Sequence, residues 1–362
     1  MTKQLSADPK DFMNDIKRSK PCFLLGNGIC RYHNAPDWSQ VIRQVINKII
    51  DDKKELEVLQ KYIEANNIPN AGYNCPEIYT SLLLATGISK SKEKFKKELK
   101  SILDKSAPCG LLQYVRKTKA QILTTNFDFA IERTLGFHAV KAKSFNFSKV
   151  KDSEDYYKSE VYPYTRYMSD EKHDDLYLEK ATAGQGDTGR YITDECAVWH
   201  IHGSINSYQS IQLGFEDYMN AIIHLKQLQD NSKDQNGKKQ YAEPWEDHFV
   251  LKNSWLRLFF TRPLVIVGCA INSEELFLRW LLLRRQRQDI IRNDDKHKDK
   301  KTQLFKLPAT YYLDTQEELK KQPKGLDKAR KQYFNSLGIK VVRFNTFREL
   351  YDGPQWGEDF PC

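Results

Sequence analysis

The chain has 362 residues, with 57 Lys and Arg against 48 Asp and Glu for a formal charge of +9, 40% hydrophobic residues and 29% charged ones. That composition excludes a disordered or collagen-like chain, and the length admits two or so domains or one α/β domain with insertions. No apolar run approaches the roughly 20 residues of a membrane-spanning helix, and MTKQLSADPKDF lacks a secretory apolar stretch, so a cytoplasmic location is expected.

A first strand, CFLLGNG (22–28), runs into a glycine-containing turn, and a helix pattern, DWSQVIRQVINKII, follows Pro36. Further helices are expected at about 54–65, 76–85, 90–104 and 108–117. The strand QILTT (121–125) stops in Asn126 and Asp128, and a helical pattern resumes at Phe127, Ala130 and Ile131. Residues 137–195 have poor periodicity and read as irregular or short-stranded structure over the site. Next come the strands AVWHIHG (197–203) and SIQLGF (210–215), a helix at about 216–228, and a polar, mobile loop at 229–240. A helix at about 246–261 leads to the strand PLVIVG (263–268) and the amphipathic helix EELFLRWLLLRRQR (274–287). The last elements are the strand ATYYL (309–313), a helix at about 325–336 and the strand IKVVRF (339–344).

Strands alternating with helices predict an α/β fold: a Rossmann-type, doubly wound, mostly parallel sheet with a helical insertion module. We read 1–362 as a single domain. Its core covers about 20–36 and 106–350, the helical insertion about 37–105, and the irregular insertion about 137–195.

Seven cysteines (Cys22, Cys30, Cys75, Cys109, Cys196, Cys269, Cys362) are scattered, odd in number and without a CxxC pair. They argue against a zinc ribbon or a disulfide framework and read as structural thiols. The basic runs at 90–100 and 284–301 are of a kind that binds nucleic acid or acidic partners, but interleaved acids favour solvated faces. In the helix at 274–287, Leu276, Trp280 and Leu283 form a stripe that serves core packing or, alternatively, assembly.

Three strand ends carry the chemistry. GNG (26–28) is either a turn or a loop whose backbone approaches a pyrophosphate; the longer GxGxxG fingerprint fails at Arg31. LTTNFD is either a capped strand–helix junction or a strand end that delivers polar groups to a ligand crevice. In WHIHG (199–203), strand alternation puts His200 and His202 on one face and Trp199 and Ile201 on the other. His200 reads as a satisfied structural histidine, and His202, nearer the strand's carboxyl end, as functional. In VIVGCAINSEEL, Gly268 permits close backbone approach, Asn272 or Ser273 caps the next helix, and Glu274 and Glu275 suit its first turn.

Taken in order, GNG…NAPDW, LTTNFD, WHIHG, GFEDY and IVGCAINSEEL resemble the sirtuin-like family, in the zinc-free branch found in bacterial anti-phage (abortive infection) defence. The resemblance spans about 20–350. It implies a Rossmann-type sheet that binds NAD as substrate, with Asn126, Asp128 and His202 as catalytic residues. It also implies cofactor contacts from Gly26, Asn27, Gly28, Pro36, Asp37, Trp38, Thr125, Gly203, Gly268 and Asn272.

Two departures qualify the match. The two CxxC pairs of deacylating sirtuins are absent, so no zinc is expected and NAD hydrolysis is favoured over deacylation. The family's GxSxxD positions hold Ala270 and Ser273, leaving Asn272 or Glu275 as substitutes. The resemblance further implies homo-oligomerisation and a HerA-like ATPase or short Argonaute partner. The alternatives are a non-catalytic NAD or ADP-ribose sensor and a nucleic-acid-associated subunit.

Overall fold

Among the described residues of the computed structural model, nine strands form one sheet. They are β1 (Ser6–Ala7), β2 (Cys22–Leu25), β3 (Gln121–Thr124), β4 (His138–Ala139), β5 (Arg166–Met168), β6 (Ala197–His200), β7 (Leu264–Val267), β8 (Thr310–Thr315) and β9 (Ile339–Phe344). The structure describes residues 6–36, 38–49, 107–139, 166–168, 197–205, 211–213, 215–230, 255–271, 275–293, 308–321 and 325–357, with isolated positions between 54 and 99. The strand order is β1-β9-β8-β7-β2-β3-β6-β5-β4. Neighbours are parallel from β1 through β6, and β5 and β4 extend that edge antiparallel. In order of appearance, the six strands β6-β3-β2-β7-β8-β9 run 3-2-1-4-5-6, the Rossmann winding. The protein is a doubly wound α/β fold of that type.

The strands read as near-continuous apolar runs because helices cover both sheet faces. On one face Phe23, Leu25, Ile122, Val198, Val265, Val267, Tyr311 and Leu313 pack against the helices Pro9–Arg18, Gly110–Lys117 and Ala130–Leu135. On the other, Cys22, Leu24, Leu123, Trp199, Leu264 and Ile266 meet the helices Trp255–Thr261, Leu276–Asn293 and Leu326–Ser336. Burying each large apolar side chain contributes about 1.5–3 kcal/mol, so both layers are held by the period-two alternation itself.

The expected strand at 210–215 does not form: Ile211–Leu213 carry no strand pairing and Phe215 already starts the helix Phe215–Asp230. The helix after LTTNFD begins at Ala130, because Asp128 Oδ1 accepts the Ala130 amide at 2.9 Å and holds the preceding residues in a turn. On the helix Leu276–Asn293 the buried face is Phe277, Leu278, Leu281 and Leu282. Of the expected stripe, Leu276 and Trp280 pack partly buried at its rim and Leu283 is 43% exposed, so that stripe is not the core face. Arg285, expected within a solvated run, is buried and donates to the Phe259, Arg262 and Pro308 carbonyls and to Thr310 Oγ1.

Two terminal helices add to the elements expected from the sequence. Asp8 caps the helix Pro9–Arg18 through the Lys10 amide, with Pro9 at its first position, and Thr346 caps Phe347–Asp352 through the Glu349 amide. Of the helical insertion, Trp38–Ile49 is described; Phe95 and Leu99 are buried and Lys94 Nζ donates to the Ile49 carbonyl at 3.1 Å. Lys54, Glu57, Val58 and Lys61 are helical, as expected for 54–65; the rest of that helix, the helix at 76–85, most of 90–104, the loop at 231–240 and most of 140–195 lie outside the described residues. No helix among the described residues is long and apolar enough to cross a membrane.

The two halves of the sheet meet at β2 and β7. A Cβ on Gly26 would sit 2.5 Å from Gly268 O and 2.8 Å from Cys269 Cα, and one on Gly28 would sit 2.5 Å from Gly268 Cα. Gly268 itself needs its positive φ of 66°. Gly28→Ala is expected to destabilise the protein by about 1–3 kcal/mol in denaturant unfolding, the cost of overpacking against backbone. Unfolding at the wild-type midpoint would show that the two loops do not touch.

Candidate functional site

In an open sheet of this winding, β2 is the switch point: the connection from β2 to β3 goes one way and β7 returns on the other side. The loops leaving β2, β3, β6 and β7 therefore lie side by side at the carboxyl edge of the sheet, where open sheets of this winding bind ligands. They contain Gly26–Gly28, Thr125–Asp128, Ile201–Gly203 and, after β7, Gly268–Ile271 and Glu275.

The glycine turn is fastened to its neighbour. Gly26 N donates to Val267 O and Gly28 N to Gly268 O, both at 2.9 Å. These two amides serve the junction with β7 instead of standing as a phosphate cradle. Asn27 Nδ2 donates to Pro36 O at 3.2 Å, tying the turn to the start of the helix Trp38–Ile49. Asp37 and Asn272 lie outside the described residues, and of Trp38 only the backbone helix is described.

The β3 end continues the ladder. Thr125 N donates to Leu25 O at 3.1 Å, Thr124 Oγ1 donates to the same carbonyl at 2.9 Å, and Thr124 Oγ1 accepts the Asn126 amide at 3.0 Å. Asn126 is buried, with Nδ2 at 3.5 Å from both Gly26 O and Cys30 Sγ. Thr125 reaches the other way, its side chain hydrogen-bonded with the Cys269 thiol.

Asp128 is buried and tied into the start of the following helix by the Ala130 amide. Burial raises its pKa, the Ala130 amide opposes that, and the nearby Glu132 raises it further. Burial, followed by Asp128, Cys109 and Glu132, pushes the Cys30 thiol far up; burial and then Glu275 do the same for Cys269. These thiols stay protonated and are structural groups. Among the described residues, no three His, Cys, Asp or Glu side chains form a metal-binding group.

The two histidines separate. Strand β6 ends at His200, and the chain turns at Ile201 and His202 into Gly203, whose φ is 86°. His200 packs against Phe129 with ring centroids 5.3 Å apart, while His202 lies 5.4 Å from Tyr218 and 6.1 Å from Phe277, on the opposite sheet face with Trp199 and Ile201. The expectation that they share a face fails because β6 ends at His200 and the chain turns before His202. As expected, His200 is a satisfied core histidine: Nδ1 meets Asn126 O at 2.7 Å and Nε2 meets Glu132 Oε1 at 2.5 Å. Burial disfavours its charge, but Glu132, the Asn126 carbonyl and Asp128 outweigh this and raise its pKa.

His202 is different. It is 2% exposed, and among the described residues its Nε2 has no hydrogen-bond partner; Glu275 Oε2 lies 4.0 Å away. Burial pushes the imidazole down to about 4, leaving it neutral at physiological pH. Burial pushes Glu275 up to about 7: its side chain is 29% exposed, but the Oε2 that faces the histidine is buried. Glu275 precedes the helix as its cap residue, with its carbonyl accepting Arg279 N at 2.9 Å, so it stands outside the first turn where the sequence put it.

Asn126 and His202 thus follow the carboxyl ends of the adjacent strands β3 and β6, on opposite sheet faces. Sequence reasoning missed Glu132. Its signal was an acid four residues after Asp128 on a helix whose other inward positions, Ala130, Ile131 and Leu135, are apolar. The fold is that of a Rossmann-type α/β protein. No protein-family model matches the chain and no curated protein matches its sequence.

The His202–Glu275 pair makes stability pH-dependent in opposing senses. An unfolded imidazole titrates near 6.5 and the folded one near 4, so between them the unfolded chain holds the extra proton. His202 therefore loses up to about 3 kcal/mol of stabilisation as pH falls through that window. Glu275, raised from 4.5 to about 7, holds its proton in the folded state and gains stabilisation as pH falls from 7. In urea unfolding, Glu275→Gln is expected to lose stability more steeply than wild type from pH 6.5 to 4, and His202→Gln less steeply. Parallel pH profiles for all three proteins would contradict the buried pair.

Proposed function

We propose that the protein hydrolyses NAD at the nicotinamide–ribose bond, releasing nicotinamide, ADP-ribose and a proton. The observation that supports this best is the placement, just past the carboxyl ends of the adjacent strands β3 and β6 beside the Rossmann switch point, of Asn126 and of a buried His202 whose Nε2 is without a hydrogen-bond partner among the described residues. The motif order that resembles zinc-free sirtuin-like NAD hydrolases supplies the substrate.

Nicotinamide departs as a neutral molecule, so the leaving group needs no acid. The protein has to hold the ribose, tolerate an oxocarbenium-like transition state and place a water. Asn126 both donates and accepts, which suits a ribose hydroxyl or the water. His202 is neutral and offers the Nε2 lone pair to a hydroxyl proton. A base held near 4 is weak by itself; Glu275 at 4.0 Å, pushed up to about 7, favours the imidazolium in the fraction of molecules where it is ionised. Asp128, two residues on and buried, has one oxygen committed to the helix start. As the effector of a defence system, such an activity would be gated by self-assembly or by a separately encoded partner.

The low basicity of His202 favours a second reading, in which the crevice binds NAD or ADP-ribose without turnover. Incubating the purified protein with NAD, alone and with the neighbouring gene product, separates the two. Nicotinamide release is expected, with Asn126→Ala and His202→Ala each lowering it by about 10²–10⁴-fold. Unchanged release in both variants would remove the assignment, and saturable binding without release would select the second reading.

A further inference from the structure

We propose that Glu132 and His200 are positioning residues that fix Asn126 through its backbone carbonyl, an inference that rests on cleavage at this crevice. Three elements meet in the arrangement: His200 ends β6, Glu132 lies on the helix Ala130–Leu135, and Asn126 is in the loop between β3 and that helix. The Asn126 carbonyl can only accept, so His200 Nδ1 carries the proton of their 2.7 Å contact. One further proton lies between Nε2 and Glu132 Oε1, 2.5 Å apart. The pair is neutral as a unit, and its side chains are 0% and 3% exposed.

The anchoring is specific to the segment that carries Asn126. Its carbonyl is held by His200, and the next carbonyl, of Phe127, accepts Ile205 N at 2.9 Å. The amide of Asn126 is held by Thr124 Oγ1 at 3.0 Å. With both sides of the residue fixed, its side chain is directed at Gly26 and Cys30 instead of rotating into the layer below. An apolar pair in place of His200 and Glu132 would fill the same space without the cost of burying charge. What that replacement would lack is the donor to the Asn126 carbonyl. Phe129 packs its ring against His200, which is fully buried.

Glu132→Ala and Glu132→Gln, each checked for folding by thermal unfolding, test the proposal. Gln presents an amide N–H to Nε2 and leaves Nδ1–H for the carbonyl, so the geometry survives without the charge. Glu132→Ala is expected to lower kcat for nicotinamide release by about 10²-fold with KM little changed, and Glu132→Gln to recover most of that loss. Amide hydrogen exchange at Asn126 and Ile205 is expected to quicken in the Ala variant and return towards wild type in the Gln variant. A folded Ala variant with wild-type kcat and exchange would overturn the proposal, as would a Gln variant as impaired as Ala in both readouts. Absence of nicotinamide release from wild type would remove the hydrolase reading, and the exchange comparison alone would still decide whether Asn126 is held this way.

Discussion

Backbone against backbone at Gly26, Gly28 and Gly268 is the contact on which the rest of the site depends. The loops leaving β2 and β7 approach so closely that a Cβ on any of the three would meet main-chain atoms at 2.5–3.0 Å. Hydrogen bonds from Gly26 to Val267 and from Gly28 to Gly268 hold that approach. It fixes where the two halves of the sheet part, and therefore where Asn126, hung from Gly26, and Cys269, linked to Thr125, come to lie. The glycines serve mutual packing first, and their amides are engaged within the protein.

From that junction the polar groups divide between the two sheet faces. Asn126, Asp128, Glu132 and His200 share the face of the helix Ala130–Leu135, where every imidazole nitrogen has a partner. His202 and Glu275 share the other, at 4.0 Å and without a hydrogen bond between them. Two histidines two residues apart are thereby given opposite electrostatic fates. Glu132 holds charge on His200, and burial among Tyr218 and Phe277 removes it from His202. A satisfied group suits a scaffold, and an unsatisfied neutral one suits a ligand.

Much of the fold was legible because fully buried parallel strands read as short apolar runs: Cys22–Leu25, Leu264–Val267 and Ile339–Phe344 fall where their sequences put them. The errors have local causes. SIQLGF has strand-like residues, but Gln212 N bonds to the His202 carbonyl and Phe215 is drawn into a helix, so no ladder forms. The shared face assigned to His200 and His202 assumed that β6 runs to Gly203, whereas it ends at His200. The strands β1 and β4 are two residues each, too short to show any periodicity. Glu132 was hidden because its partner lies 68 residues away, a pairing that spacing along the chain does not reveal.

The central claim is that the crevice at the carboxyl ends of β2, β3, β6 and β7 binds a dinucleotide. Amide hydrogen exchange with and without ADP-ribose, the product that would share the crevice, tests this most directly. Protection is expected at Gly26–Gly28, Thr125–Asp128, Ile201–Ile205 and Gly268–Ile271, with the amino ends of the same strands unchanged. Protection elsewhere, or none at saturating ADP-ribose, would contradict it.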